Sequence, residues 1–562
     1  MTIARFINKL PRPSRAWWTQ ARDGKPARIV GVAVFSLSLF SGFAAVMIRP
    51  PGASALIETG DGLTVYGNSA TSSTTPRYRD YYELTDSFGS ETNTVSGSTP
   101  LAMQIKTSPV KTEAIVGYQN SSGTLQIMCY DGTNWSNDWS VSSYGTGVTR
   151  AYDIAYEWQS GDVVVMYSTN TATTNELAFR RKAGGKACGG ANWDSAVNVN
   201  PVRTSAIINW VTLQQDQNSN NIAAIWADSS RDLSAMIYDG TAGTWGNEPT
   251  AAIATNLSYV TSSTRSDTES FDLAYESVSS DLMIVAGNSG NTSSGNNLIT
   301  YKTCTGGGAS CTWQTTSTVP SQQAQDNANH LDMAANPQTN EIVFGAISNG
   351  EDLSIGYWDG SSWPTTGSRG LPNADTSTET ITDGRKLVTA NWMINGTTTR
   401  SIIMYSDNSS QRVDFFTGNA GVFTLQSPYN AAAGLSPTPS GSFRYMKSRK
   451  DPYHLNRVML EFQDSNNDLF AKHVVMSAAG AYTWSNSDGE PPCKPILHPV
   501  GQGRLGLPIG KMCPRRDHPK FIRTGIFFKT MIKWPWAVTQ PMATQFKMPA
   551  ARRLQESDRV NA

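Results

Sequence analysis

Charge is scarce in this chain. Asp, Glu, Lys and Arg make up 16% of its 562 residues, and there are only five histidines and six cysteines. A chain kept unfolded by its own charge is excluded, and aromatic residues at 10% argue for a packed core. The histidines (His330, His454, His473, His498 and His518) show no metal-ligand spacing. There is no Cys-x-x-Cys pair, no Gly-x-Ser-x-Gly and no phosphate-binding glycine loop, so zinc sites, serine-hydrolase elbows and nucleotide chemistry lack their usual marks.

Uninterrupted apolar runs are lacking too, with one exception. Residues 29–48 (IVGVAVFSLSLFSGFAAVMI) carry no charge and follow Arg5, Lys9, Arg12, Arg15, Arg22, Lys25 and Arg28. Twenty such residues can cross a bilayer as a helix, and the basic leader 1–28 would stay in the cytoplasm while the rest is exported. Ala53-Ser54-Ala55 is an A-x-A pattern that a signal peptidase could cut near Ala55. A cleaved signal and a retained anchor both fit, and the long leader favours retention. The expected location is extracellular or cell-surface.

The formal net charge of zero conceals three regions. Residues 1–55 hold eight Lys/Arg and one acid, and residues 491–562 hold thirteen and three. With 45 of each sign in all, residues 56–490 keep 24 basic against 41 acidic residues, or about −17. A body so acidic is a poor partner for nucleic acid, whose affinity rests on neutralised phosphates.

What is abundant is short β-prone runs separated by Gly, Ser, Thr, Asn and Asp. A unit of roughly fifty residues recurs. It opens on a leading strand (AYDIAYE, SFDLAYE and HLDMAAN, from Ala151, Ser270 and His330), then a second strand (DVVVMYS, DLMIVAG, EIVFGAI), then a third ending in a turn. An aromatic residue then opens a weaker fourth strand: Phe88, Trp135, Trp193, Trp245, Trp313, Trp363, Phe423 and Trp484. Four strands per unit predict an all-β fold, a β-propeller of seven or eight blades, over residues 56–490. The recurring aromatic is expected to pack between blades. The first of the eight units lacks its leading strand, which is expected from near residues 495–515, where no strand pattern is found. Acids nearly vanish and Pro and basic residues rise after residue 490. Residues 491–562 are therefore read as a weakly ordered basic tail, with a shifted reading frame as the favoured explanation.

The turn segments Tyr130-Asp131-Gly132-Thr133-Asn134-Trp135, Tyr238-Asp239-Gly240 before Trp245, and Trp358-Asp359-Gly360-Ser361-Ser362-Trp363 carry a family resemblance. The unit resembles the blades of sialidase-type Asp-box and kelch-like propellers, and more closely the repeats of bacterial cell-surface propellers. Here Asp and Gly are adjacent, the pair that a tight hairpin favours. The sialidase likeness would imply an Arg cluster, a Tyr–Glu pair and an acidic general acid. Arginine is sparse in the repeats, and Arg180-Arg181-Lys182 reads as a solvated edge.

Cys304 and Cys311 flank a glycine-rich loop and are expected to form a local disulfide, whereas the pairing of Cys129, Cys188, Cys493 and Cys513 is left open. Asp153, Asp272 and Asp332 recur at one place on leading strands, with Thr212 and Asn391 there in other copies. Facing a channel, they would hold a cation or polar ligand, or else accept backbone hydrogen bonds from the next blade, the reading preferred. No cofactor is expected. Asp464–Asp468 is the nearest thing to a calcium loop and lacks the downstream Glu. The function these features favour is a non-catalytic binding or adhesion module for a glycan or envelope protein. A structural spacer and a sialidase-like glycoside hydrolase are the alternatives.

Overall fold

The computed structural model describes residues 62–484 except for short connecting stretches, the longest of them 259–268 and 289–298. The leader, the apolar segment 29–48, the site near Ala55, Cys493, Cys513 and the tail lie outside the described residues. No helix among the described residues is long and apolar enough to cross a membrane.

Eight antiparallel sheets follow one another along the chain as blades of a propeller ring. In seven of them the chain runs outward from an inner strand: Pro100–Thr107, Tyr152–Tyr156, Ile208–Gln215, Phe271–Tyr275, Ala328–Ala335, Val388–Asn395 and Tyr445–Lys450. The first blade differs. Gly62–Tyr66 pairs with Arg77–Tyr82, which pairs in turn with both Ser87–Phe88 and Thr92–Asn93. Its four segments thus make three rows. Phe88 opposes Tyr81 on the middle row as Trp135 opposes Tyr130 on the third row of the next blade. The middle row is therefore the equivalent of a third strand, and no leading strand is found among the described residues. Blade 8 closes against blade 1 nonetheless: the Tyr81 hydroxyl and His473 Nδ1 lie 2.8 Å apart, and Met459 packs with Leu63, Val65 and Tyr81.

The second strands explain why the ring forms. Val163, Val165 and Tyr167 pack toward blade 2, while Val164 and Met166 pack toward blade 4. A strand apolar on both faces must be covered twice, so each blade needs two neighbours. The core is accordingly divided among the blade interfaces rather than gathered at one centre.

The repeated aromatics sit at these interfaces. Trp135 meets Tyr78 of blade 1, Trp193 meets Trp139 of blade 2, and Trp245 meets Phe179 of blade 3. Trp363 meets Tyr301 of blade 5, and Trp484 meets Phe415 of blade 7. The Trp313 indole donates to the Asn247 carbonyl of blade 4 (2.8 Å). Phe423 shares a cluster with Tyr357 of blade 6, and Phe88 packs on Tyr81, which reaches blade 8. Each thus reaches toward the preceding blade, directly or through one ring.

The Asp-Gly turns cap themselves. Asp131 Oδ1 accepts the Thr133 and Asn134 N–H groups, and Asp359 Oδ1 those of Ser361 and Ser362. Gly132 and Gly360 follow at φ +93°, where a Cβ would be strained. At Asp464 the carboxylate likewise accepts the Asp468 N–H (2.8 Å), a bond of the kind that closes a turn.

Two disulfides are present. Cys304–Cys311 closes a hairpin, and Cys129–Cys188 joins blade 2 to blade 3 across 59 positions. Loop-closure entropy scales with the enclosed length, giving about 4 kcal/mol for the longer loop and about 2 for the shorter. Replacing Cys129 and Cys188 together by Ala should therefore lower the urea-unfolding free energy by more than replacing Cys304 and Cys311. Equal losses would show that the inter-blade link is not what the first disulfide secures.

Candidate functional site

The inner strands bring one residue each to an equivalent position facing the channel. By register these are Gln104, Asp153, Thr212, Asp272, Asp332, Asn391 and Lys447. Three Asp were legible as a repeat. Gln104 and Lys447 were not, because neither continues the acidic pattern.

The carboxylates stitch blades together. Asp153 accepts the N–H of Ile154 and that of Leu213 in the next blade (both 2.9 Å). Asp272 accepts those of Leu273 and Met333, and Asp332 that of Ala390. Asp332 also pairs with Lys447 across blade 7. Asp153 also lies 3.7 Å from the Arg150 guanidinium, so backbone donors and neighbouring side-chain cations together hold these carboxylates.

Arg150, buried at one end of the channel, donates to Glu269 (3.2 Å) and Thr212 (2.8 Å) and lies over the Trp210 ring. The run Arg180-Arg181-Lys182 is not a solvated edge. Lys182 is fully buried on Glu113 (2.8 Å), Arg181 is paired with Asp162, and Arg180 covers Trp139. The third strand of blade 3 turns Arg180 and Lys182 into the interface with blade 2, while Arg181, on its other face, is matched within blade 3 by Asp162 and Glu157. Glu113, Cys129 and Cys188 are grouped closely enough to ligate a metal, but the two sulfurs are bonded to each other.

At the other end the channel opens into a mouth with a cavity of about 370 Å³, within the range of small-ligand sites. Its rim includes Trp158, Gln214, Gln215, Gln217, Ser277, Thr107 and Lys450. Trp158 is half-buried and stands at a turn position where the next blades carry Gln217 and Ser277. It is no part of the repeated aromatic set. Below the mouth lies a polar cavity of about 90 Å³, and Lys106, Lys447 and Arg449 line both.

The inner-strand ends carry a second repeat that sequence reading passed over. Ser160 donates to Glu157, Ser219 to Asp216 and Ser279 to Glu276, in each case an acid three residues before a serine. Asn220 and Asn340 accept two backbone N–H groups each from the preceding blade's turn. These acids are structural, although burial drives the Glu157 carboxyl up to about 7 and that of Glu276 in the same direction.

Tyrosines beside acids also occur. Tyr156 donates to Glu113 (2.9 Å), and its ionisation is pushed well up by burial and then by Glu113. A nucleophilic tyrosine needs the opposite shift. Among the described residues no such pair is joined by an arginine cluster at the mouth.

No protein-family profile and no curated protein matches the chain. Among solved structures, the BP39L lectin from Burkholderia pseudomallei is similar at 10% identity over 68% of this chain and 98% of its own, with a TM-score of 0.46. The fucose-recognising, six-bladed Aleuria aurantia lectin aligns at 11% over 70% and 97% (0.32), and a polysaccharide lyase acting as an ulvan lyase at 10% over 65% and 89% (0.34). Likeness this loose transfers none of their activities.

Glu157 bears on stability. Its carboxyl rises from 4.5 to about 7 in the folded chain, so the folded form keeps a proton that the unfolded form releases. That contribution is complete below about pH 4.5 and is lost as pH rises toward 7. Glu461, 2% exposed with neither carboxylate oxygen hydrogen-bonded, shifts the same way through burial. Melting temperature should fall between pH 5 and 7.5, and Glu157→Gln should flatten that fall. Glu461→Gln should raise stability at pH 7.5 and leave it nearly unchanged at pH 4.

Proposed function

We propose that this propeller binds a saccharide at the channel mouth and performs no chemistry on it. The observation that carries the reading is the division of labour among polar groups. Most acids of the channel and its turns are engaged in joining blades, whereas the mouth presents groups the fold does not use. Trp158 offers a ring face for the apolar side of a sugar. Among the described residues, Gln215 and Gln217 make no side-chain hydrogen bonds, so their amides can donate to and accept from hydroxyls. An aromatic plate with convergent amides in a site of this volume suits a small, hydroxyl-rich ligand better than an extended protein surface.

The same reading places the protein outside the cell, held by segment 29–48 or released by cleavage near Ala55. Two disulfides in a chain with an apolar N-terminal run support export, since such bonds persist in oxidising compartments.

A glycan array probed with the full chain should give saturable binding to a restricted set of saccharides. Trp158→Ala should weaken the best of them about tenfold or more without moving the melting temperature, as expected for a stacking residue. Silence across the array, or binding indifferent to Trp158, Gln215 and Gln217 substitutions, would remove the mouth as the site.

A further inference from the structure

Among the described residues, the buried side-chain polar atoms of the inner cavity that lack a hydrogen bond are donors. Asp153 and Asp272 each hold two backbone N–H groups, and Glu269 holds Arg150. Among the described residues, the side-chain amide nitrogen of Gln104, 4% exposed, has no acceptor, nor does the buried Arg150 Nε. Lys106 and Arg449 make no ion pair among the described residues; burial lowers the proton affinity of Lys106, which feels the attraction of Asp153 and Asp272 and the repulsion of Arg449 and Arg150. Lys106, Arg449 and two buried N–H donors therefore border one lumen beside Asp153, Glu269 and Asp272. Those carboxylates are engaged with backbone N–H groups and Arg150, and the two unsatisfied donors would gain from a further acceptor.

Size narrows what that acceptor can be. A cavity of about 90 Å³ is roughly three liquid-water volumes, room for a carboxylate or sulfate group but not for a sugar ring. The ring's place is the mouth above, and Lys106, Lys447 and Arg449 border both spaces.

We infer that the cavity is an anion site that takes the carboxylate or sulfate of an acidic saccharide whose ring occupies the mouth. The saccharide part of this inference rests on the proposed function, while the anion site stands on the cavity alone. Arg449 supplies a planar fork of donors and Lys106 a point charge, with the Gln104 amide as a neutral third contact. A single acidic group is favoured over a polyanion because residues 56–490 together carry a net charge of about −17.

Two measurements on the full chain test the two parts separately. Sodium sulfate should raise the melting temperature saturably relative to chloride at matched ionic strength, and the Lys106→Gln/Arg449→Gln double variant should lose that excess. In titration calorimetry, glucuronate should bind about tenfold or more tighter than glucose, as charge-assisted hydrogen bonds imply. Arg449→Gln should shrink the ratio toward one while glucose binding persists. If sulfate and chloride act alike, the anion site is wrong, whatever the sugars do. If sulfate saturates through Lys106 and Arg449 but neither sugar binds, the anion site stands and the saccharide reading falls. If glucose and glucuronate bind equally, the mouth binds sugar and the acidic preference is overturned.

Discussion

Coverage of both faces of every blade is the constraint from which the rest of this molecule follows. A strand such as Val163–Ser168 has apolar residues on both sides, and only a neighbour on each side can bury them. Stacking in a closed ring meets that demand without leaving a terminal apolar face. It also dictates where polar groups go. Buried between blades, a carboxylate is tolerable only when hydrogen-bonded, and Asp153, Asp272 and Asp332 meet this by accepting N–H groups from the next inner strand. Lys182 on Glu113 and Arg150 on Glu269 extend the same rule to full charges.

Much of the architecture was legible because a repeat writes the same instruction many times. The strand order, the interface aromatics from Phe88 to Trp484 and the short first blade could all be read from eight imperfect copies. The place of Arg180-Arg181-Lys182 could not be. Three consecutive charges look like surface unless the buried acids awaiting them, Glu113 and Asp162, are known to lie on an adjoining blade and strand. The Cys129–Cys188 bond was hidden for the same reason, since it crosses between repeats rather than closing a hairpin. Pairings between blades depend on register across an interface, and no local pattern encodes that.

The site was legible only in reverse. Positions shared by the copies proved to be the ones that hold blades together, so the repeated Asp, the most conspicuous polar feature of the sequence, joins strands. Candidate binding residues are instead those that break the pattern. Trp158 stands where its counterparts are Gln217 and Ser277, and Gln104 replaces the acid of other inner strands. In a repeat protein a residue that every copy needs is working for the fold, and a residue present once is free to work for a ligand.

The contrast in charge between body and channel then has a physical use. A body carrying about −17 repels polyanions at a distance, but mobile ions screen that repulsion beyond roughly 8–10 Å. A single carboxylate or sulfate that entered the mouth would meet Lys450 at the rim and then Lys106 and Arg449, which border both spaces. There the lower dielectric strengthens each contact relative to the surface. The outer field thus disfavours long acidic polymers, while the inner donors reward one buried negative group. If the cavity takes an anion as inferred, the net acidity of residues 56–490 and the donors of the cavity would together select on the number of charges a ligand brings.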